Sequence, residues 1–232
     1  MDLRGVRIDN VTMREALEIA LDEEGSAFVV TPNAVMLDAC RKNADYADLL
    51  GRATLSLADG AGVMLCAKRA GTPLRERIAG ISFGEALLER AAQDGLRVFL
   101  LGGADGVAEE AARRLRERYD GLQICGCLWG YFEKSGEEDT RVVDIIRAAH
   151  PDILFVCFGF PLQEEWIVAH LPLLEDLRVI AGLGGALDVW AGRVCRAPRL
   201  ISRCGMEWAW RMLCQPKRLK HLPALVRCAL WR

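Results

Sequence analysis

Thr54-Leu55-Ser56-Leu57-Ala58-Asp59-Gly60-Ala61-Gly62 is the stretch whose reading decides the fold. A run rich in apolar and β-compatible residues stops at a carboxylate, and two glycines lead into a new apolar helical pattern. In an open α/β sheet the carboxyl ends of the strands line the ligand crevice. A lone acid there, beside glycines that let a ligand approach the backbone, suits a general base. The same acid also suits the N-cap of the helix starting near Gly62, because Asp is a preferred capping residue. Both readings stand at this point.

Strand and helix patterns alternate on either side of that stretch. Val6-Arg7-Ile8 reads as a short strand, and Thr12 with Glu15 as a capping box opening a helix that Gly25 stops. Ala27 to Val30 is a buried strand, Thr31-Pro32-Asn33 the turn at its end, and Ala34 to Arg41 a helix. Beyond Gly62 a helix runs to about Ala70, and a Gly/Pro-containing link leads to Arg75-Glu76-Arg77-Ile78-Ala79-Gly80. Ser82 with Glu85 predicts a second capping box. Arg97 to Leu101 is a strand closed by Gly102-Gly103-Ala104-Asp105-Gly106, and the helix after it carries Glu109/Arg113 and Glu110/Arg114 at i,i+4. Leu122 to Leu128 is the next strand, ending in Gly130-Tyr131-Phe132, and Ser135 with Glu138 caps a helix reaching His150. Asp152 to Phe158 and Leu177 to Ala181 are the last strands, the second ending at Gly182-Leu183-Gly184-Gly185. Such alternation predicts βαβ units and an α/β fold with a doubly wound, mainly parallel, Rossmann-like sheet.

The 232 residues are 52% hydrophobic and 27% charged, a core-forming balance. Nine cysteines show no framework spacing, and Cys125-Gly126-Cys127 is too tight for a CxxC pair, so reduced thiols in a cytosolic protein are expected. Three scattered histidines predict no metal site. Met1-Asp2-Leu3-Arg4 opens without an apolar signal region, and no apolar run reaches the ~20 residues that span a bilayer. The net charge of −2 hides an asymmetry: residues 193–232 carry ten Lys/Arg against one acid, a net +9, which leaves −11 for residues 1–192. The boundary near residue 195 divides an acidic α/β body, 1–195, from a basic helical C-terminal appendage, 196–232.

Nearly all the unusual residues lie at strand-to-helix junctions. Gly102 and Gly103 suit a phosphate cradle at a helix N-terminus and equally suit a tight turn without ligand. They form no GxGxxG and no GK[ST] P-loop, so no nucleotide cofactor is implied. Gly184, Gly185 and Asp188, with Trp190, suit a nucleobase, as does Tyr131, although each type is often core or cap. Arg77 reads as a surface arginine or as a partner for a departing diphosphate. No Asp-x-Asp occurs, so a leaving diphosphate would be neutralised by cations and amides rather than by a carboxylate-held metal. In the appendage, Trp208, Trp210 and Trp231 among arginines suit an interfacial membrane element, with a nucleic-acid tail or a packed helical hairpin as rivals.

Taken together the motifs are specific. TPNAVML (31–37), LADGAGV (57–63), ERIAG (76–80), FLLGG (99–103), GYF (130–132), FGFPLQEEW (158–166), GLGGALDVWAGRVCRAP (182–198) and MEWAWRMLCQPKRLKH (206–221) occur in order. The chain resembles the WecG/TagA/CpsF family of bacterial glycosyltransferases, glycosyltransferase family 26, over nearly its whole length. The resemblance implies inverting transfer of a sugar, N-acetylmannosamine in the best-known member type, from a UDP-sugar to undecaprenyl-diphosphate-linked GlcNAc. It implies peripheral attachment to the inner face of the cell membrane, and no nucleic-acid partner; a homo-oligomer is compatible. By motif, Asp59 is the base, Arg77 sits at the substrate site, Thr31, Asn33 and Gln163 lie by the sugar and acceptor pocket, and Tyr131 and Asp188 on the uridine side. Arg211 and Arg218 match the arginines that complete the site over the diphosphate, while His221 stands where the family usually has another arginine. Transfer of N-acetylmannosaminuronic acid or a hexose, or a catalytically silent membrane-associated binding protein, are the rival readings.

Overall fold

The computed structural model describes residues 1–3, 5–22, 25–195 and, beyond them, 198, 209, 210, 212, 219 and 222–230. Six strands form one parallel sheet: β1 (Ala27–Val30), β2 (Leu55–Ser56), β3 (Arg97–Gly102), β4 (Gln123–Leu128), β5 (Ile153–Cys157) and β6 (Val179–Gly182). Their order is β2-β1-β6-β5-β3-β4. The central strands β1, β5 and β6 are buried at every position, as parallel strands covered on both faces must be.

One face is covered by α1 (Met13–Asp22), α5 (Gly80–Asp94), α6 (Val107–Arg118) and α9 (Ala186–Trp190). The other is covered by α2 (Ala34–Lys42), α3 (Ala44–Gly51), α4 (Ala61–Arg69), α7 (Gly136–Ala148) and α8 (Leu162–His170), with α10 (Leu222–Leu230) added. Val98 and Leu100 of β3 serve the first core, Phe99 and Leu101 the second, the period-2 alternation of a strand. The loops after β3 and β6 therefore turn to one face while those after β1, β2 and β5 turn to the other. A crevice opens at such divergences on the carboxyl edge.

Several local expectations are corrected. Val6 to Ile8 is not a strand of the sheet: Ile8 N–H donates to Met1 O, and a lone antiparallel bridge joins Asp2 to Arg7. The 54–59 run is strand only at Leu55–Ser56, with Asp9 closing the edge through its carboxylate on the Ser56 N–H (2.8 Å). Ser82 lies inside α5, whose N-cap is Ala79. Burial of Ile78 and Ile81 starts that helix upstream, and Glu85 instead receives Arg118 (2.9 Å). Arg113 pairs with Glu110 and Glu117 rather than Glu109. The Thr12–Glu15 box forms as expected, with bonds of 2.8 and 3.4 Å.

The C-terminal helix α10 packs on α2 and α4. Arg227 grips buried Asp38 through Nε (2.7 Å) and Nη2 (2.6 Å), and Lys42 adds a third contact at 2.6 Å. These cations, Arg227 foremost, hold the Asp38 carboxyl far below its ordinary value of 3.8. Cys228, fully buried, rests against Cys66 and the Gly62 carbonyl on α4. Among the described residues no helix is long and apolar enough to cross a membrane.

A carboxyl with a depressed folded pKa stabilises the fold above its ordinary pKa, and that stability is lost as pH falls through the folded value. Asp38→Asn is therefore expected to lower the thermal midpoint between pH 5 and 7. The gap from wild type should narrow below about pH 4; melting curves across that range check it.

Candidate active site

Three loops meet at the carboxyl ends of β1 and β2, joined by backbone hydrogen bonds. Asp59 N–H donates to Pro32 O (3.0 Å), and Ile78 N–H donates to Ala58 O (3.0 Å). Thr31 and Asn33, Asp59, and Arg77 are thereby brought to one corner. Asp59 and Arg77 are both half-buried. The Arg77 loop is also fixed from its other side, because Glu76 accepts the Met13 N–H (3.0 Å) and Arg75 grips Asn10 and Glu15.

The N-cap of α4 is Gly60, in a φ of 93° that suits glycine, and the helix begins at Ala61. Asp59 stands one residue outside the cap position, so the capping expectation is not met. Asn33 does cap, its Oδ1 accepting from Val35 N–H (3.0 Å) and Met36 N–H (3.2 Å). Its side-chain oxygen is committed to α2, and its Nδ2 donates to Met36 Sδ at 3.5 Å, which leaves one N–H of the amide for a further partner. Thr31 is buried against the start of α5, where a Cβ on Gly80 would lie 2.8 Å from Thr31 Oγ1. Gly80 is the residue that lets that helix N-terminus approach.

The second group of loops follows β3, β4, β5 and β6. Gly102 has a φ of 140°, and a Cβ there would meet Cys157 O at 2.6 Å; Gly103 has a φ of 72° and would meet Val107. Close backbone approach accounts for both glycines. Gly130 N–H donates to Gly103 O (2.8 Å), and Tyr131 beyond it is 73% exposed at the rim. Lys134 folds that loop, donating to Gly130 O (2.6 Å) and Phe132 O (2.8 Å) while lying over the Phe132 and Phe158 rings. Gly185 is the N-cap of α9 and Asp188 lies in its first turn, half-buried. Asp188 stands near Cys157, whose thiol is pushed up to about 12, chiefly by burial and secondarily by that acid.

Gln163 ties this group together. Its Oε1 accepts from Gly159 N–H (3.1 Å) and Gly184 N–H (2.9 Å), and its Nε2 donates to Glu164 Oε1 (2.8 Å). Its amide oxygen and one of its N–H groups are engaged by the protein, and its side chain is buried beneath the crevice. The helix beneath is anchored to α7, because Asp139 accepts Trp166 Nε1 (2.7 Å) and pairs with His170 (3.0 Å).

Glu164 was not among the expected site residues. It is completely buried, and burial pushes its carboxyl up to about 7 from the ordinary 4.5. Acids in a first helical turn usually serve the helix dipole in solvent. The available signal was that Gln163 and Glu164 share the spacing of Trp166 and Ile167, the apolar stripe of α8. Arg211 and Arg218 lie outside the described residues, as does His221. Among the described residues no group of three His, Cys, Asp or Glu could hold a metal ion.

The raised Glu164 value means that the folded protein binds this proton more tightly than the unfolded chain does. The group's cost is absent below pH 4.5, grows as pH rises, and is complete above about 7. At about 1.4 kcal/mol per pH unit it amounts to about 3 kcal/mol. Glu164→Gln should therefore gain stability relative to wild type from pH 5 to 8, read by denaturant unfolding at each pH.

Comparison with known proteins agrees with this geometry. The model of the glycosyl transferase WecG/TagA/CpsF family matches residues 1–232. The chain is 35% identical over 230 residues to the N-acetylglucosaminyldiphosphoundecaprenol N-acetyl-beta-D-mannosaminyltransferase of Staphylococcus aureus strain MRSA252, covering 97% of this chain and 89% of the relative. The protein of the same name from strain NCTC 8325 / PS 47 matches with the same identity and coverage. With a parallel α/β sheet, a carboxylate and an arginine on neighbouring loops, and a match along its full length, the chain belongs to the WecG/TagA/CpsF family of glycosyl transferases.

Proposed function

We propose that this glycosyltransferase moves N-acetylmannosamine from a UDP-sugar to undecaprenyl-diphosphate-linked GlcNAc, with inversion and without a metal ion. The observation that carries the site assignment is the joining of the Thr31–Asn33, Asp59 and Arg77 loops by the Pro32 and Ala58 carbonyls. The named relatives carry the choice of sugar and acceptor.

In this mechanism Asp59 removes the proton from the acceptor hydroxyl as that oxygen attacks the anomeric carbon, and the bond to the UDP oxygen breaks on the opposite face. Asn33 Nδ2 and Thr31 hold the sugars. The departing diphosphate carries new negative charge, which Arg77 offsets, joined by Arg211 and Arg218 from the C-terminal segment. Gly102, Gly103, Gly184 and Gly185 form the donor side, and Tyr131 and Asp188 take the uridine. Absence of an Asp-x-Asp motif supports arginine rather than a bound metal as the leaving-group partner.

The C-terminal segment works where the lipid substrate lies. Its basic surplus favours anionic lipid, at about 1 kcal/mol per cation near the surface. Docking of α10 on α4 supports a second role, since Cys228 lies 3.7 Å from the carbonyl of Gly62, two residues past the N-cap that follows Asp59. The segment therefore returns to the corner that holds the base. The body sits on the inner face of the cell membrane, attached peripherally.

Asp59→Asn should reduce UDP release in the presence of a short-chain lipid-diphosphate GlcNAc acceptor by at least about a hundredfold, the usual scale for a lost general base. Unchanged release would remove Asp59 from that role. A panel of UDP-sugars with product masses tests the donor, and a preference for a uronic acid or hexose donor would replace N-acetylmannosamine. Arg211→Ala with Arg218→Ala should lower kcat further than it lowers binding to anionic vesicles. Equal loss of both would make the arginines membrane contacts alone.

A further inference from the structure

We propose that Glu164 is a positioning residue for the donor side of the site: its buried carboxyl fixes the orientation of the Gln163 amide, and that amide sets the spacing of the loops after β5 and β6. The inference rests on the reading above that those loops hold the nucleotide.

A glutamine amide has two ends and two orientations. Here the oxygen end faces two backbone donors, Gly159 N–H at 3.1 Å and Gly184 N–H at 2.9 Å. A flipped amide would set its NH2 group against both and leave all of them unpaired. The nitrogen end therefore needs its own acceptor, in a place where solvent cannot supply one, since Gln163 is 4% exposed and Glu164 0%. Glu164 Oε1 supplies it at 2.8 Å. Behind the amide lies Gly182, where an added Cβ would fall 2.7 Å from Nε2 and 3.1 Å from Cδ. The amide is thus wedged between a carboxyl and a glycine.

Stability alone does not account for the acid. Consecutive helical residues point about 100° apart, so a side-chain bond between neighbours is not what helix geometry supplies by default. Glu164 Oε2 has no hydrogen-bond partner among the described residues, and the charged groups acting on this carboxyl include Glu165, which repels it. An apolar side chain would be less costly to bury than a half-satisfied acid. What the acid adds is an acceptor that only one orientation of Gln163 can use. A shift of Gly184 would then move Gly185 and the first turn of α9, where Asp188 lies.

Full-length wild type, Glu164→Gln and Glu164→Met are compared in binding of UDP, in kcat and KM for the UDP-sugar, and in hydrogen exchange. Glu164→Gln retains a carbonyl acceptor and should bind UDP within about twofold of wild type. Glu164→Met keeps the volume without the acceptor, leaving a buried donor unpaired, and should weaken UDP binding and raise KM about tenfold with a smaller change in kcat. Exchange should quicken at the Gly159 and Gly184 amides and stay unchanged in the strands β5 and β6. Equal UDP affinity in all three proteins would overturn the proposal, as would a Glu164→Gln defect matching that of Glu164→Met, or faster exchange spread through the sheet. If Glu164→Met does not fold, Gly182→Ala displaces the same amide from its other side and should give the same rise in KM; no rise overturns the inference. If wild type itself does not bind UDP, the donor reading fails instead, and exchange at the two amides alone decides for or against the positioning role.

Discussion

At the end of a parallel strand the backbone N–H groups lose their ladder partners, and the carboxyl edge of this sheet depends on how those groups are paired. Buried N–H groups without acceptors are rarely tolerated. Here the acceptors come from neighbouring loops: Pro32 for Asp59, Ala58 for Ile78, Gly103 for Gly130, and Gln163 for Gly159 and Gly184. Apart from Gln163 with Gly159, four residues away, each pairing joins two loops that are far apart in sequence. The candidate site is therefore assembled by the same bonds that make the edge of the sheet tenable, and its side chains take their positions from a shared backbone.

This arrangement explains which parts of the molecule could be read from the chain. Alternating strand and helix patterns are local, and β1, β3, β5 and β6 appear within a residue or two of expectation because long apolar runs admit few other readings. The order β2-β1-β6-β5-β3-β4 is not local, and no pattern in the chain states it. Val6 to Ile8 looked like a strand for its branched residues, yet the segment folds back on Met1 and uses Asp9 to close the β2 edge. Ser82 had the spacing of a cap, but burial of Ile78 outweighs a capping bond of about 1 kcal/mol and sets the helix start. Junction residues were legible as a group because polar residues and glycines at strand ends have few structural reasons to recur. Their individual duties were not, since Asn33 as helix cap and Gln163 as internal tie depend on partners elsewhere in the chain.

Charge separation along the chain also has an internal as well as an external meaning. Within the basic surplus after residue 192, Arg227 is held by Asp38 of the acidic body. A bidentate pair with a nearly buried carboxylate is stronger and more directional than an exposed ion pair. It orients α10 across α2 and α4. One attraction of opposite charges thus places α10, and the proposed membrane role falls to the rest of the surplus.

Asp59 gains its meaning from what surrounds it rather than from its own type. The N-cap of α4 is the place where an acid of this kind is usually found. Gly60 takes that position instead, in a conformation favoured for glycine, and so the acid is set back by one residue at the strand end. Its backbone is held by Pro32, and the residue before it holds Ile78, next to Arg77. In the proposed mechanism a base and a leaving-group cation must keep a steady separation, because misplacement by about 1 Å can cost a hundredfold in rate. Two backbone hydrogen bonds at one corner of the sheet fix the loops that carry Asp59 and Arg77 relative to each other.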